Sequence, residues 1–431
     1  MNISILTLFP GLYEPFLSSS LIGRARESEI VDFDLASFFS YVEPKKRIDA
    51  PTFGPTAGML IKPEITQVAI EDLESKHGPA YKIFFSPHGK KLDQKKAREL
   101  AHKIQEKSHV MLVCPRYEGM DARVEEYYAD EIISIGDYVL MGGDLPAMVL
   151  LEAVLRYVPG VIGKQDSVEQ DSFSGPFVDY PEYTEPANWK DISVPDIVRS
   201  GNHGQIEKWR LDKAVQRTVI HHFDWFRSSR LTQQQRNLAQ KHIPSHYAAL
   251  LHSQVQLRSG EVGNTSVTSL DLHDIARSAR TYDIKQYFMM TELVDQQRIV
   301  RRFLEFWESS AAIDYNPHRH EAVSRISIAS TLNEIIATIE KGEGKTPIII
   351  ATSARQVSEN KLITFYDQEL IWDENRPVLL LLGTGGGLGP EQIEKSDYIL
   401  VPIEGLSDFN HLSVRSAAAI IFDRWLGLSI K

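Results

Sequence analysis

The chain has 431 residues, 42% of them hydrophobic, one cysteine and a formal net charge of −11. A single cysteine excludes an internal disulfide framework or a multi-cysteine metal site, and the longest apolar runs, "PIIIATS" and "PVLLLLG", are far shorter than the roughly 20 residues of a membrane span. At roughly 150 residues per domain the length suggests two or three domains, and the acidic balance argues against binding nucleic acid over the whole surface, although "EPKKRID", "HGKKLDQKKAR", "EKWRLDKAVQR" and "DQQRIVRRF" leave room for one basic face or for the solvated sides of helices.

The opening "MNISILTLFP" has no basic region and no small-residue cleavage site, so it reads as a first strand rather than a signal peptide, and the cytoplasm is the expected location. Up to about residue 160, "ISILTLF", "KIFFSP", "VMLVC" and "EIISIGDYVL" read as strands and "DQKKARELAHKIQEK" and "LPAMVLLEAVLRYV" as helices. That alternation predicts an α/β domain with a mostly parallel sheet over 1–160. Residues 161–196, rich in Pro, Gly, Asp and aromatics without periodicity, read as a linker. Residues 197–250 read as a small helical domain, with helices in "NHGQIEKWRLDKAVQRTV", capped by Asn202, and in "TQQQRNLAQKHIPSHYAALLH". A second α/β alternation covers 252–431 and ends in the amphipathic "HLSVRSAAAIIFDRWLG".

In two places an apolar run meets a glycine cluster and then a helix start: "SIGDYVLMGGDLPAM" at 134–148 and "LLLLGTGGGLGPEQI" at 379–393. Glycines there let another group lie against bare main chain. The first place has no phosphate-binding motif, and in the second Gly383, Gly385 and Gly389 miss the G-x-G-x-x-G spacing by one residue. The glycines alone leave two readings open, tight turns with close packing or a ligand site.

"FFSPHGKKLDQ", "LVCPRYEGMDARV", "EIISIGDYVLMGGDLPAM", "LRYVPGVIGKQDSVEQDSF" and "SGNHGQIEKWRL", in this order, resemble the bacterial tRNA (guanine-N1)-methyltransferase family over about residues 1–245. The resemblance implies a SPOUT fold, whose sheet threads into a deep trefoil knot around S-adenosylmethionine (SAM). It puts the adenosine of the donor against the main chain of Ile135, Gly136, Asp137, Tyr138, Val139 and Leu140, with Gly142, Gly143 and Pro146 at the next turn. The other walls are implied at Phe84 to Gly89, including Pro87, and at Cys114 to Glu118, including Pro115 and Tyr117.

Methylation of guanine N1 requires a base for the N1 proton and a positive group near O6. By resemblance the base is Asp171 and the cation Arg156, whereas their residue types alone would make them a turn or capping aspartate and a solvated helix residue. Asp137 and Glu118 are expected to orient loops. The resemblance further implies tRNA as substrate, a homodimer with the site between protomers, and RNA contacts from Arg24 and from the helix carrying Lys208, Arg210 and Arg217. Magnesium is associated with the family, but no dedicated carboxylate cluster stands out.

Two departures from the family pattern are visible. The glycine-rich loop is "FGPTAGM" at 53–59, with Pro55, and Pro115 replaces the glycine before R-Y-E-G. A proline there removes an N–H that could face the donor, so Pro115→Gly is expected to raise donor affinity. Residues 252–431 resemble a second SPOUT-type group of SAM-dependent RNA methyltransferases. The resemblance rests on "TSLDLHDIARSARTY", "YNPHRHEAV", "GTGGGLG" and "PIEGLSDFNHLSVRSAAAIIFDR" and implies donor contacts at Gly383, Gly385, Gly387, Ile403, Gly405 and Leu412. Its polar residues Asn410, His411, Ser413 and Arg415 suit a methyl acceptor, or equally helix capping and phosphate contact. Two other functions compete with tRNA methylation. One is a non-catalytic tRNA-binding protein with a degenerate first donor site, and the other, a nucleotide-dependent oxidoreductase, is weakened by the missing fingerprint.

Overall fold

A computed structural model describes residues 1–54, 57–163, 171–355 and 361–428. Pro55 therefore lies outside the described residues. The chain forms two compact units, Met1–Gly175 and Pro176–Lys431.

The first unit is built on a five-stranded parallel sheet in the order Asp32–Ser37, Asn2–Thr7, His109–Val113, Tyr81–Lys91, Glu131–Ser134. Its central strands are apolar almost throughout, as strands covered on both faces must be. Ile3, Ile5, Ile83 and Leu112 pack on one side with Leu100, Leu150 and Leu151. Leu6, Phe84, Met111 and Val113 pack on the other with Ile65, Ile70 and Val124. Helices Gln94–Gln105 and Asp144–Leu155 thus cover one face, and helices Pro63–His77 and Ala122–Tyr128 the other.

One irregularity shapes the site. Both Phe85 and Lys90 pair with Ile133, so residues 86–89 bulge out of strand Tyr81–Lys91. A Cβ on Gly89 would lie 2.7 Å from the main chain of Ile132 and Ile133, so only glycine lets the strand return to its neighbour.

The second unit has a seven-stranded parallel sheet in the order Ile326–Ala329, Gln286–Met290, His246–Leu251, Val378–Gly383, Ile348–Thr352, Tyr398–Leu400, Leu362–Ile363. The helix expected through "TQQQRNLAQKHIPSHYAALLH" is shorter than predicted. It covers Gln233–Gln240, and His246–Leu251 is instead an interior strand, buried at every residue. Pro244 stops the helix, and the apolar run after it extends into the sheet. Asn202 caps helix His203–His221 as expected, accepting from the N–H of Gln205 at 3.2 Å. The inner face of that helix, Val215 and Val219, shares a core with Leu250, Ile275 and Phe422.

Candidate functional site

Three adjacent strands of the first unit end at one edge, and the segments leaving them enclose a cavity of about 400 Å3. Carboxyl ends of parallel strands are where such sheets place their sites. The bulge supplies Ser86, Pro87 and His88; the loop after Val113 supplies Pro115 to Met120; the segment after Ser134 supplies Ile135, Gly136 and Tyr138 to Leu140. Gly142, Gly143 and Pro146 close it.

The glycine pair has a specific partner, and it belongs to the chain itself. The Gly143 N–H donates to the Pro115 carbonyl at 2.7 Å, and Arg116 forms a bridge with Gly142. A Cβ on Gly142 would sit 2.3 Å from Arg116 Cδ, and one on Gly143 would sit 2.7 Å from Pro115 Cδ. The glycines therefore let segment 135–143 lie directly on loop 114–119. The same solution recurs in the second unit. There a Cβ on Gly386 would meet the Gln256 carbonyl at 2.8 Å, and the Gly386 N–H donates to that oxygen at 2.6 Å. Close packing thus requires glycine at Gly142, Gly143 and Gly386.

Asp144, which sequence reasoning did not single out, fastens this arrangement. Only 1% exposed, it accepts from Thr7 Oγ1 at 2.5 Å, Tyr13 Oη at 3.1 Å and Arg116 Nε at 2.7 Å. Its place in the first turn of helix Asp144–Leu155 suits a carboxylate, which the helix dipole favours there. Burial, then the neighbouring Cys114 and Asp144, pushes the Tyr13 hydroxyl far up, so Tyr13 remains a proton donor. Burial likewise raises the Cys114 thiol, leaving the one cysteine inert. On the opposite wall His88 Nδ1 lies 2.7 Å from Ser86 Oγ, and its Nε2 lies 3.4 Å from Glu125.

Of the residues expected around the donor, Pro87, Pro115, Tyr117, Glu118, Ile135, Gly136, Tyr138, Val139, Leu140, Gly142, Gly143 and Pro146 line the cavity. Gly89 serves the strand return, and Asp137 points to solvent, 85% exposed, in a 2.6 Å pair with Lys91. Tyr117 takes a left-handed conformation at φ 61°, and a Cβ on Gly58 would collide with the Glu118 side chain, so Gly58 lies directly against this wall. Arg156 and Asp171 do not line the cavity. They meet each other, Arg156 Nη2 donating to Asp171 Oδ2, in a turn closed by the Ser174 N–H on the Asp171 carbonyl at 3.1 Å. Arg156 Nε is buried and has no hydrogen-bond partner among the described residues.

More than half of the chain, residues 1–228, matches the family model described as tRNA (guanine-1)-methyltransferase TrmD. The chain belongs to that tRNA methyltransferase family. Residues 245–427 match a second model, SAM-dependent RNA methyltransferase, so the family member carries a second methyltransferase segment. A tRNA (guanine-N(1)-)-methyltransferase of Nitratidesulfovibrio vulgaris is 37% identical over 99% of both chains, and one of Oleidesulfovibrio alaskensis is 36% identical over the same share. That of Bacillus subtilis is 41% identical over 55% of this chain and 96% of its own. The last match covers little more than half of this family member.

Elsewhere the expected residues are dispersed. Arg24 and Lys208 are exposed on helices Ser20–Glu27 and His203–His221, while Arg210 lies over the Tyr180 ring at 4.6 Å and Arg217 donates to the Asp179 carbonyl at 3.5 Å. In the second segment Gly383 and Gly385 are occupied by the chain's own main chain, Gly387 and Gly405 face open space, Ile403 packs on the core and Leu412 is 47% exposed. Asn410 donates to the Ala354 carbonyl, Ser413 caps the last helix, and Arg415 pairs with Asp271 and Asp274 at 3.7 and 3.5 Å. A larger cavity of about 640 Å3 opens at the opposite edge of that sheet, beside His246, Lys285 and Arg325, and is lined by none of the six expected donor contacts. Among the described residues no group of three or more His, Cys, Asp or Glu gathers within reach of one metal ion. No described helix is long and apolar enough to cross a membrane.

Proposed function

We propose that this chain transfers a methyl group from SAM to N1 of a guanosine in tRNA, at position 37 beside the anticodon. The observation that carries the reading is the end-to-end match, 99% of both chains, to an enzyme named for this reaction. The test is to incubate the full chain with labelled SAM and unmodified tRNA transcripts and to identify the modified nucleoside. 1-Methylguanosine is expected, and its absence from the labelled nucleosides would refute the assignment.

The cavity suits the donor. Apolar Pro87, Ile135, Leu140 and Pro146 with the main chain of 135–143 offer an adenosine both a dry wall and hydrogen-bonding edges. SAM supplies the methyl group, and this chain's own residues handle the acceptor. Asp171 accepts the N1 proton, and the Arg156 guanidinium, part-exposed beside Asp171, offers a donor to O6 as charge builds there. Guanine entry exchanges the Arg156–Asp171 contact for these two.

Because Arg156 and Asp171 lie off the cavity of their own chain, the reading includes a homodimer in which each protomer presents this pair to the other's donor. Tyr138, Val139, Met141, Leu145 and Val149, all at least 46% exposed, give that interface an apolar surface. The reading also includes the trefoil knot of a SPOUT domain, supported by the contact of segment 135–143 with loop 114–119. Helix His203–His221 serves tRNA through Lys208 and its basic neighbours. The carboxy-terminal segment acts as a second SPOUT-type RNA methyltransferase domain. The cytoplasm, where tRNA is modified, is the location this function requires. The alternative of a non-catalytic RNA-binding chain loses its motive at Pro115, whose carbonyl and ring both serve the wall.

A further inference from the structure

The charged side chains lining the cavity do not balance. Arg116 is neutralised by Asp144 at 2.7 Å, which leaves two carboxylates, Glu118 and Glu125. Glu118 is exposed, whereas the Glu125 side chain is only 16% exposed. Glu125 stands on helix Ala122–Tyr128 three residues beyond Ala122, so both face the cavity while Val124 faces the core. Its one ion-pair partner among the described residues is His88 at 3.4 Å, itself steadied by Ser86. Burial opposes the charge on Glu125, and a cation entering the cavity would relieve that cost.

We infer that Glu125 is the residue by which this site distinguishes donor from product, its carboxylate favouring the sulfonium cation of SAM over the neutral thioether of S-adenosylhomocysteine. The inference rests on the reading of this cavity as the donor site. In the transfer the S–CH3 bond breaks and the N1–CH3 bond forms. Sulfur keeps the electron pair and becomes neutral, and the N1 proton goes to Asp171. The positive charge beside Glu125 therefore vanishes at the moment of reaction, and the product loses the attraction that held the substrate. SAM and S-adenosylhomocysteine share the adenosine, the ammonium and the carboxylate, so only the methyl group and the charge it places on sulfur separate them.

The test is calorimetric titration of the full-length protein and its Glu125→Gln and Glu125→Asp variants with SAM and with S-adenosylhomocysteine. Loss of one charge-assisted contact predicts that the SAM-to-product affinity ratio falls about tenfold in Glu125→Gln, through weaker SAM binding. Glu125→Asp, which keeps the charge, retains most of the wild-type ratio. Equal weakening of both ligands in Glu125→Gln, an unchanged ratio, or a ratio lost equally in both variants would overturn the inference. A wild-type protein that binds neither ligand would instead overturn the donor-site reading, and the inference with it.

Discussion

The Gly143 N–H and the Pro115 carbonyl oxygen meet at 2.7 Å, and the Pro115 ring fills the space that a Gly143 side chain would take. The proline is buried and part of the wall, so the expected benefit of a glycine there is reversed. Pro115→Gly removes the ring contact and loosens the loop, at a cost of about 1 kcal/mol. SAM affinity should fall about fivefold by calorimetry. A rise in affinity would show that the missing N–H matters more than the packing.

Asp171→Asn should lower the single-turnover rate about 10² to 10⁴-fold, the usual contribution of a positioned general base. Asp171 does not line the cavity of its own chain, and the substitution leaves the fold of the donor wall intact. SAM affinity should stay within a few-fold of wild type. A variant that keeps most of its rate would remove Asp171 from the chemistry.

Asp144→Ala strips Thr7, Tyr13 and Arg116 of their shared acceptor and leaves a guanidinium uncompensated beside the site. Breaking such a buried pair costs about 3–5 kcal/mol. Urea unfolding of the full chain should show its first transition at distinctly lower denaturant, and SAM binding should weaken with it. A variant with wild-type unfolding would mean that the three contacts are dispensable.

Acid should destabilise the second unit before simple surface charge effects do. His246 and His252 are both pushed down by burial to about 4. His246 accepts from Trp425 Nε1 at 2.9 Å, which makes its Nδ1–H the donor to the Pro244 carbonyl and leaves no room for a second ring proton. Both folded-state values lie below the ordinary 6.5, so the unfolded chain binds the protons first. Stability is full above about pH 6.5 and declines toward pH 4, by up to about 1.4 kcal/mol per pH unit for each histidine. Thermal unfolding followed from pH 7.5 to 4.5 should show this decline, and a flat profile would contradict it.

Much of the fold is legible because strands buried on both faces read as unbroken apolar runs, as in "VMLVC" and "PVLLLLG". The interior strand His246–Leu251 escaped because its apolar run follows a helix without glycine punctuation, and the single warning was Pro244. The main-chain wall of the site was legible only through the family resemblance, since its glycines alone left packing and a ligand open, and their immediate partners are Pro115 and Arg116 of the chain itself. Asp144 and Glu125 were not legible, and His88 came to the wall only with the segment Phe84 to Gly89 that the family resemblance implied. A charged residue in a helix or loop reads as solvated until tertiary packing buries it, and the bulge that carries His88 arises from a register shift against Ile133 that no local pattern encodes.

The central claim is N1 methylation of one guanosine in tRNA, and its most direct measurement compares two transcripts that differ at a single nucleotide. With tritiated SAM, a tRNA carrying guanosine at position 37 should be labelled stoichiometrically and yield 1-methylguanosine on digestion, while the same tRNA with adenosine there should remain unlabelled. Equal labelling of both transcripts, or no 1-methylguanosine in the first, would contradict the account.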